Sequence, residues 1–225
     1  MKFRSAFISD VRIQYKYGFY LLYAFFTVFY IAILSVFPAV WREKAAIFMI
    51  FTDPAAMGLY FMGAIVLFEK GERVLDSIAV SPLKTYEYVL SKLFSLSVIS
   101  TVAGLAIGVA GGVITNPVLF ILGVFLCSCL FSSVGLILAC KITTLNQFVI
   151  ATFPAEILIC APALLWLFGY DKAWLLIHPG TALMAILSGG TVFPILILLL
   201  WTALFAILAC IFVEKMLKSV GGIKL

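Results

Sequence analysis

Six long apolar stretches, separated by short polar segments, dominate the sequence. A helix that crosses the hydrocarbon core of a bilayer needs about 20 residues, because each helical residue rises about 1.5 Å. All six stretches meet this requirement, so the chain is predicted to be an all-α polytopic membrane protein with six transmembrane helices. The predicted spans cover residues 18–41, 46–68, 93–115, 118–140, 148–168 and 192–213 of a single transmembrane domain, residues 1–225.

The composition supports this class. Of the 225 residues, 65% are hydrophobic and 11% are charged, whereas a soluble domain is about half apolar and about a quarter charged. A soluble core of this size could not bury so much apolar surface, so lipid must cover much of it. The first 16 residues are polar and basic and no small-residue cleavage site follows, so the first stretch is expected to be retained as a span.

The distribution of Lys and Arg predicts the orientation, because cytoplasmic loops carry an excess of these residues. With a cytoplasmic N-terminus, twelve of the 15 Lys and Arg fall on the inner side and three on the outer side. The chain is therefore predicted to be a multi-pass protein of the cell (plasma or inner) membrane with both termini in the cytoplasm. The three outer cations are Arg42, Lys44 and Lys172.

Residues 1–17 are predicted to form an amphipathic interface helix. Apolar side chains recur there at every fourth position, with Lys and Arg between them. Such a helix lies in the membrane interface with its cations near anionic headgroups. An untethered polar tail is the alternative. The apolar positions are Phe3, Phe7, Val11 and Tyr15.

A second short element is predicted on the outer side, between the fifth and sixth spans. Residues 174–190 are apolar but too short to cross the membrane, and His178-Pro179-Gly180 interrupts them. This pattern predicts a re-entrant or interfacial hairpin. His178 is the single histidine of the chain, and none of the five cysteines has the paired spacing of a zinc site. A structural role is expected for these side chains, and no bound metal.

The inner loop, residues 69–92, is the longest polar segment between two spans. A short helix with one apolar face is predicted there, and Ser81-Pro82 ends it because proline disfavours a helical conformation in the residue before it. Such a helix can dock into a groove on a partner protein or lie solvated at the interface, and the pattern allows both. The apolar stripe comprises Val74, Leu75 and Ile78, and the polar face comprises Glu72, Arg73, Asp76 and Ser77.

Three segments of this loop, residues 69–75, 81–83 and 88–92, carry a family resemblance. They resemble the inner loop of type-2 ATP-binding-cassette (ABC) exporter permeases. Those proteins have an amphipathic N-terminal helix, six spans, a cytoplasmic coupling helix between the second and third spans, and an outer hairpin before the sixth. The same order occurs here, so the resemblance covers nearly the whole chain. Within the family, the segment is similar to small bacterial permeases associated with drug or antimicrobial-peptide export.

The resemblance implies that the helix near residues 72–80 docks on a separate ATPase subunit and that Glu69 orients it. The sequence contains no GxxxxGK[ST] phosphate loop, so ATP and Mg would be bound by the ATPase, and the chain itself is expected to be neither an enzyme nor a cofactor-binding protein. Six spans are half of the family's usual assembly, which implies a second permease copy or a paralogue. The implied coupling residues are Glu69, Gly71, Glu72, Arg73, Val74, Leu75, Ile78, Ser81 and Pro82.

Two acidic residues lie inside predicted spans, where charges are costly and often functional. Glu156 in the fifth span, flanked by Pro154 and Pro162, is a candidate for the substrate pathway. A structural hydrogen bond across the permease interface, or a protonated buried carboxyl, is the alternative. Asp53-Pro54 in the second span has the pattern of an N-cap followed by a first turn, which predicts a break there.

Gly104, Gly108 and Gly112 repeat at every fourth position of the third span. Ridges of small residues let helices approach closely in lipid. The three glycines are therefore predicted to mediate helix packing, within one chain or between subunits.

The leading hypothesis is the permease subunit of an ATP-driven exporter of a hydrophobic or amphipathic substrate such as a drug, peptide or lipid. An ion-coupled secondary transporter is the main alternative, although the chain shows no convincing internal repeat. A non-transporting membrane scaffold is a third possibility. Membrane lipid is an expected partner and nucleic acid is not.

Overall fold

The computed structural model describes residues 2–170, 172–189 and 192–220, and all regular structure within them is helical. Six of the helices are long and apolar enough to cross a membrane. The prediction of an all-α polytopic membrane protein with six such helices is confirmed. The elements are α1 (Lys2–Lys16), α2 (Phe19–Val36), α3 (Ala39–Ile50), a π-helical segment (Phe51–Ala55), α4 (Met57–Gly71), α5 (Val74–Val80), α6 (Thr85–Gly111), α7 (Pro117–Lys141), α8 (Leu145–Leu167), a 3₁₀ helix (Ala173–Ile177), α9 (Pro179–Leu187) and α10 (Phe193–Val220).

Proline sets the boundary between the first two long helices. The first helix ends at Val36, earlier than the predicted limit at residue 41, because Phe37 precedes Pro38 and has an extended conformation. The next helix begins at Ala39 and contains the polar residues that the sequence analysis placed in a loop.

The second long helix is continuous from Ala39 to Gly71. The predicted break at Asp53 is wrong, because no side-chain cap is found at the start of α4 and the chain passes through a π-helical segment instead. A π turn is one way in which a helix accommodates a residue that disturbs the regular hydrogen-bond ladder, as proline does. Asp53 is buried, and the Tyr30 side chain from α2 interacts with its carboxyl group.

The third long helix begins at Thr85, inside the predicted inner loop. Its first turn is closed by a capping interaction in which the Lys84 backbone N–H donates to Glu87 Oε2 at 3.0 Å. The first two turns of this helix contain several polar residues, which is why the sequence pattern assigned them to the inner loop. The connection between α5 and α6 is accordingly reduced to residues 81–84.

Helix α7 occupies the centre of the bundle and packs against α4, α6 and α10. Small residues bring α4 and α7 into close contact. A Cβ atom on Gly135 would lie 2.2 Å from the Leu59 carbonyl oxygen, and one on Gly58 would lie 2.4 Å from Ser132 Oγ. Such close approach gives α4 and α7 extensive van der Waals contact, which is a main source of helix association in lipid.

The predicted glycine ridge of α6 is present in part. Gly104 and Gly108 are buried, and a Cβ atom on Gly108 would lie 2.6 Å from Phe120 of α7. Gly112 does not pack within the chain, because the helix ends at Gly111 and Gly112 is an exposed C-cap with φ of 71°. A contact of Gly112 between subunits stays a prediction. Gly111 makes a close contact with α3, since a Cβ atom on Gly111 would lie 2.3 Å from the Ala46 Cβ atom.

The predicted outer hairpin consists of the 3₁₀ helix followed by α9, with His178 half-buried between them. All nine residues of α9 are buried, and the helix packs against α7, α8 and α10. The Trp201 indole N–H of α10 donates to the Ile177 carbonyl at 2.8 Å and holds the turn in place. The last residue of the predicted hairpin, 190, lies outside the described residues, and its re-entrant position in the membrane stays a prediction.

The α4–α7 contact yields a prediction for stability. Gly135→Ala places a methyl group against the Leu59 backbone, which cannot yield as a flexible side chain would. We expect the variant to lose about 1–3 kcal/mol of stability, measured as a fall in Tm of the detergent-purified protein. The matched control is Gly71→Ala at the exposed end of α4, where nothing lies within 4 Å of the new methyl group. Equal Tm values for the two variants would show that the helices do not depend on this close approach.

Candidate functional site

A group of buried charged side chains lies where α1, α4 and α6 meet. The Lys92 ammonium of α6 is 2.9 Å from Asp10 Oδ1 of α1 and 2.5 Å from Glu69 Oε1 of α4. Lys92 is only 1% exposed. We call Asp10, Glu69 and Lys92, together with Tyr88 and Ser91, the ionic cluster.

Hydroxyl groups satisfy further acceptors of the ionic cluster. The Tyr88 hydroxyl donates to Glu69 Oε2 at 2.6 Å, and the Ser91 hydroxyl donates to Asp10 Oδ2. The Lys92 ammonium also lies 4.7 Å from the centre of the Tyr88 ring, within cation–π range. Tyr88, Ser91 and Lys92 share one face of α6 because they are three and four positions apart. Since a buried ion is tolerated only with close partners, these contacts fix three helices in one arrangement.

The N-terminal helix α1 runs along α6 beyond the ionic cluster. Gln14 Nε2 donates to Ser95 Oγ at 2.7 Å, one turn after the contact of Asp10 with Ser91 on both helices. Gln14 and Ser95 are each 1% exposed. The polar side of α1 therefore packs on the bundle. Its location in the membrane interface remains a prediction.

Lys70, next to Glu69, connects the same end of α4 to α7. Its ammonium donates to the carbonyl oxygens of Ala139, Cys140 and Ile142 at 2.6, 3.1 and 2.8 Å. These carbonyls belong to the C-terminal end of α7, where a helix leaves its last carbonyl groups unpaired and carries partial negative charge. The two neighbouring residues thus attach α4 to α1, α6 and α7.

Helix α5 is the predicted coupling helix, and it lies directly after these residues. Arg73, with φ of 57°, turns the chain between α4 and α5. Leu75 is only 2% exposed, and Ile78 packs on the core formed with α4 and α10. The expectation that the apolar stripe docks into a partner is therefore wrong for Leu75, which this chain itself buries. The face directed away from the bundle carries Asp76, Ser77 and Val80.

The ends of α5 have local structural partners. The Ser81 hydroxyl donates to the Ile78 carbonyl at 2.8 Å, and Ser81 Oγ accepts from the Leu83 backbone N–H at 3.3 Å. These bonds end the helix just before Pro82, as the sequence pattern predicted. Gly71, Glu72 and Arg73 at the other end are exposed.

Tyr17, between α1 and α2, provides another contact with this segment. Its hydroxyl donates to Glu72 Oε1, and its ring stacks on Phe68 with centroids 4.9 Å apart. The hydrogen bond to the Glu72 carboxylate raises the pKa of Tyr17 above its usual value, because loss of the phenolic proton would place two negative charges together. The α1–α2 junction is thereby joined to the start of the coupling segment.

Glu156 lies apart from these groups, in the middle of α8. Its Oε2 accepts from the Tyr60 hydroxyl of α4, and both side chains are partly buried. The hydrogen bond is within one chain, whereas the structural alternative was a bond across the permease interface, which stays a prediction. Pro154 and Pro162 lie inside α8 without ending it. A role for Glu156 in a substrate pathway remains a prediction.

The sequence analysis missed most of the ionic cluster. It used Lys92 to assign orientation and included residues 88–92 only in the family resemblance, through which it also identified Glu69. It gave Asp10 no role. One signal was present in the sequence: Asp10 is a carboxylate on an otherwise basic helix, beside the apolar position Val11. Its partners could not be identified, because they are more than 50 residues away along the chain.

Comparison with known proteins identifies a family and two curated relatives that this chain resembles. The sequence matches the family described as the Fluoroquinolones export permease protein family over residues 1–222. Two curated relatives are the fluoroquinolones export permease proteins of Mycobacterium tuberculosis strains CDC 1551 / Oshkosh and ATCC 25618 / H37Rv, each 26% identical over 155 residues. The aligned region covers 68% of this chain and 65% of each relative, so it spans slightly less than two thirds of the relatives' length.

The ionic cluster predicts a large effect of removing its cation. Lys92→Met leaves two buried carboxylates without their counter-ion, which we expect to cost about 3–5 kcal/mol and to lower the Tm of the purified protein. Adding Asp10→Asn and Glu69→Gln should recover much of this loss, because no uncompensated charge then remains. Lys84→Met, at an exposed lysine near the start of α6, is the control. A Tm of Lys92→Met equal to that of the control would contradict the assignment.

The contact of Glu156 with Tyr60 predicts that the hydrogen bond stabilises this pair and the charge does not. Glu156→Gln keeps an oxygen that can accept from Tyr60 and should be close to the native chain in Tm. Glu156→Leu should lose about 1–2 kcal/mol, and Tyr60→Phe should add little to that loss when the two are combined. If Glu156→Gln is as unstable as Glu156→Leu, the carboxylate charge is required and the structural interpretation is wrong.

Proposed function

This chain belongs to the Fluoroquinolones export permease protein family, and we propose that it is the permease subunit of an ATP-driven exporter of drug-like molecules. The match agrees with the type-2 ABC permease family that the inner loop resembles. The curated relatives are named for the export of fluoroquinolones, so this class of antibiotic is the substrate that we propose first. The proposed biological result is antibiotic resistance through export across the cell membrane.

The observation that supports this function best is the placement of α5. The helix is anchored to the bundle by Leu75, yet it presents an exposed polar face at the end of the molecule. A partner that displaces a short helix held in this way also displaces α4 and α10, because α5 packs against both. We propose that the partner is an ABC ATPase subunit, which binds ATP and Mg and bears on this face.

The contacts around α5 suggest how movement would reach the spans. Only Glu72 and Arg73 separate α5 from α4, so displacement of α5 acts directly on Glu69. The ionic cluster then transmits it to α1 and α6, while Lys70 transmits it to α7. Tyr17 ties Glu72 to the α1–α2 junction. Among the implied coupling residues, Glu69 is thus proposed to transmit force, while Gly71, Glu72, Arg73, Ser81 and Pro82 shape the ends of α5.

The remaining parts of the proposal concern assembly and orientation. Six spans would be completed by a second copy or a paralogue, and both termini would lie in the cytoplasm with α5 and the ionic cluster. The ATPase acts from that side, which agrees with the excess of Lys and Arg there. The chain itself is proposed to have no enzymatic activity, and membrane lipid surrounds it.

The proposed docking face can be tested by co-purification. Asp76 and Val80 are one helical turn apart on the exposed face of α5, and Val80 is 84% exposed. Asp76→Arg with Val80→Asp should leave the Tm unchanged and reduce capture of an ATPase subunit from native membranes at least about tenfold, since a reversed charge or a buried new charge costs several kcal/mol. Glu43→Arg is the matched control and should not reduce capture. Glu43 lies near the start of α3, and α5 follows the opposite end of the same continuous helix.

Transport gives an independent criterion. Inside-out vesicles that contain the chain and its ATPase should accumulate a fluoroquinolone when ATP is added, and a protonophore should not stop this accumulation. Uptake that persists without ATP and is abolished by the protonophore would show an ion-coupled transporter and would overturn the ATP-driven model. Failure of any ATPase to co-purify with the native chain, in a correctly folded preparation, would have the same consequence.

A further inference from the structure

An apolar groove of about 450 Å³ lies between α3 and α8, at the end of the bundle opposite the ionic cluster. The start of α3 and the end of α4 are the two ends of one continuous helix, which places the groove and the cluster on opposite sides. One wall is built from Trp41 and Phe48 of α3 and the other from Leu164 and Phe168 at the end of α8. Trp41 and Phe168 are exposed, so the groove is open at its side.

Two cations stand at this apolar groove. Lys44 is the one charged residue in its lining, and no ion pair joins it to any other residue in the described ranges. Arg42 lies beside the groove, since its Nη2 donates to the carbonyl of the lining residue Phe37 at 3.3 Å. Within the part of the chain that the structure describes, the buried Nε of Arg42 has no hydrogen-bond partner. Both cations are thus able to bind an anionic group.

We propose that this groove binds an anionic phospholipid, with an acyl chain between α3 and α8 and the phosphate against Lys44 and Arg42. The walls are aromatic and aliphatic, which suits a hydrocarbon chain. Tryptophan and basic residues together mark the headgroup level of a membrane protein, and basic pockets between helices select anionic headgroups.

The charge pattern of the whole chain favours the same occupant. Arg42 and Lys44 are two of the three cations predicted on the outer side, where Lys and Arg are otherwise avoided. Lys44 in the lining of the aromatic groove and Arg42 beside it complement a lipid that carries net negative charge. A zwitterionic phospholipid has the same acyl chains without that charge, so it serves as the comparison ligand.

The test uses Trp41 as a reporter inside the groove. Brominated acyl chains quench tryptophan on contact, and the difference between the native chain and Trp41→Phe isolates the contribution of Trp41. The purified protein is titrated in mixed micelles with brominated phosphatidylglycerol or brominated phosphatidylcholine. We expect phosphatidylglycerol to bind at least about fivefold more tightly, since each cation near a headgroup contributes about that factor. Lys44→Gln should reduce the preference about fivefold.

The matched control is Lys172→Gln, which removes another exposed cation on the same predicted side and should leave the preference intact. Equal quenching by the two lipids would overturn the proposal and leave only general contact with the bilayer. A preference that survives Lys44→Gln would overturn the assigned headgroup site. Quenching by neither lipid, with the chain folded, would also overturn it and would indicate that a second copy of the chain covers the groove.

Discussion

A lysine buried at one end of a membrane protein must have anionic partners within hydrogen-bond distance, because its charge has no water to stabilise it. Lys92 meets this requirement with Asp10 and Glu69, which belong to two other helices. The positions of α1, α4 and α6 are therefore not independent of one another. The directions of α5 and of the first span follow from theirs, through the short connections at residues 72–73 and 17–18.

The bundle is held differently at its centre and at its two ends. Ionic and hydrogen-bonded contacts fix the end that contains α5, and close contacts of small residues fix α4 against α7 in the middle. At the opposite end, α3 and α8 leave an aromatic groove between them. Under the proposed function, a displacement of α5 would pass along these helices toward α3 and α8.

Hydropathy and length were sufficient to predict the six long helices, because lipid imposes a minimum length on every span. The end of α2 at Val36 and the continuity of the helix through Asp53 differ from the prediction for a local reason, the effect of Pro38 and Pro54 on backbone hydrogen bonding. The start of α6 at Thr85 differs because its first turns are polar. Gly112 lies outside the packing within the chain because a regular spacing of glycines does not show where the helix ends. The ionic cluster depends on pairing between residues 10, 69 and 92, which no local pattern reveals. Lys92 and Glu69 were visible as charges, but their proximity is a property of the folded chain.

The burial of Leu75 changes how a partner can recognise this protein. An apolar stripe kept for the partner would be exposed until that partner bound, and large exposed apolar patches promote aggregation. Here Leu75 is buried within the chain and Ile78 packs on its core. The free face carries Asp76 and Ser77 together with the apolar residue Val80. The chain therefore does not need the proposed partner to cover Leu75. Recognition then depends on charge and shape complementarity, which favours specificity for one partner over affinity for many.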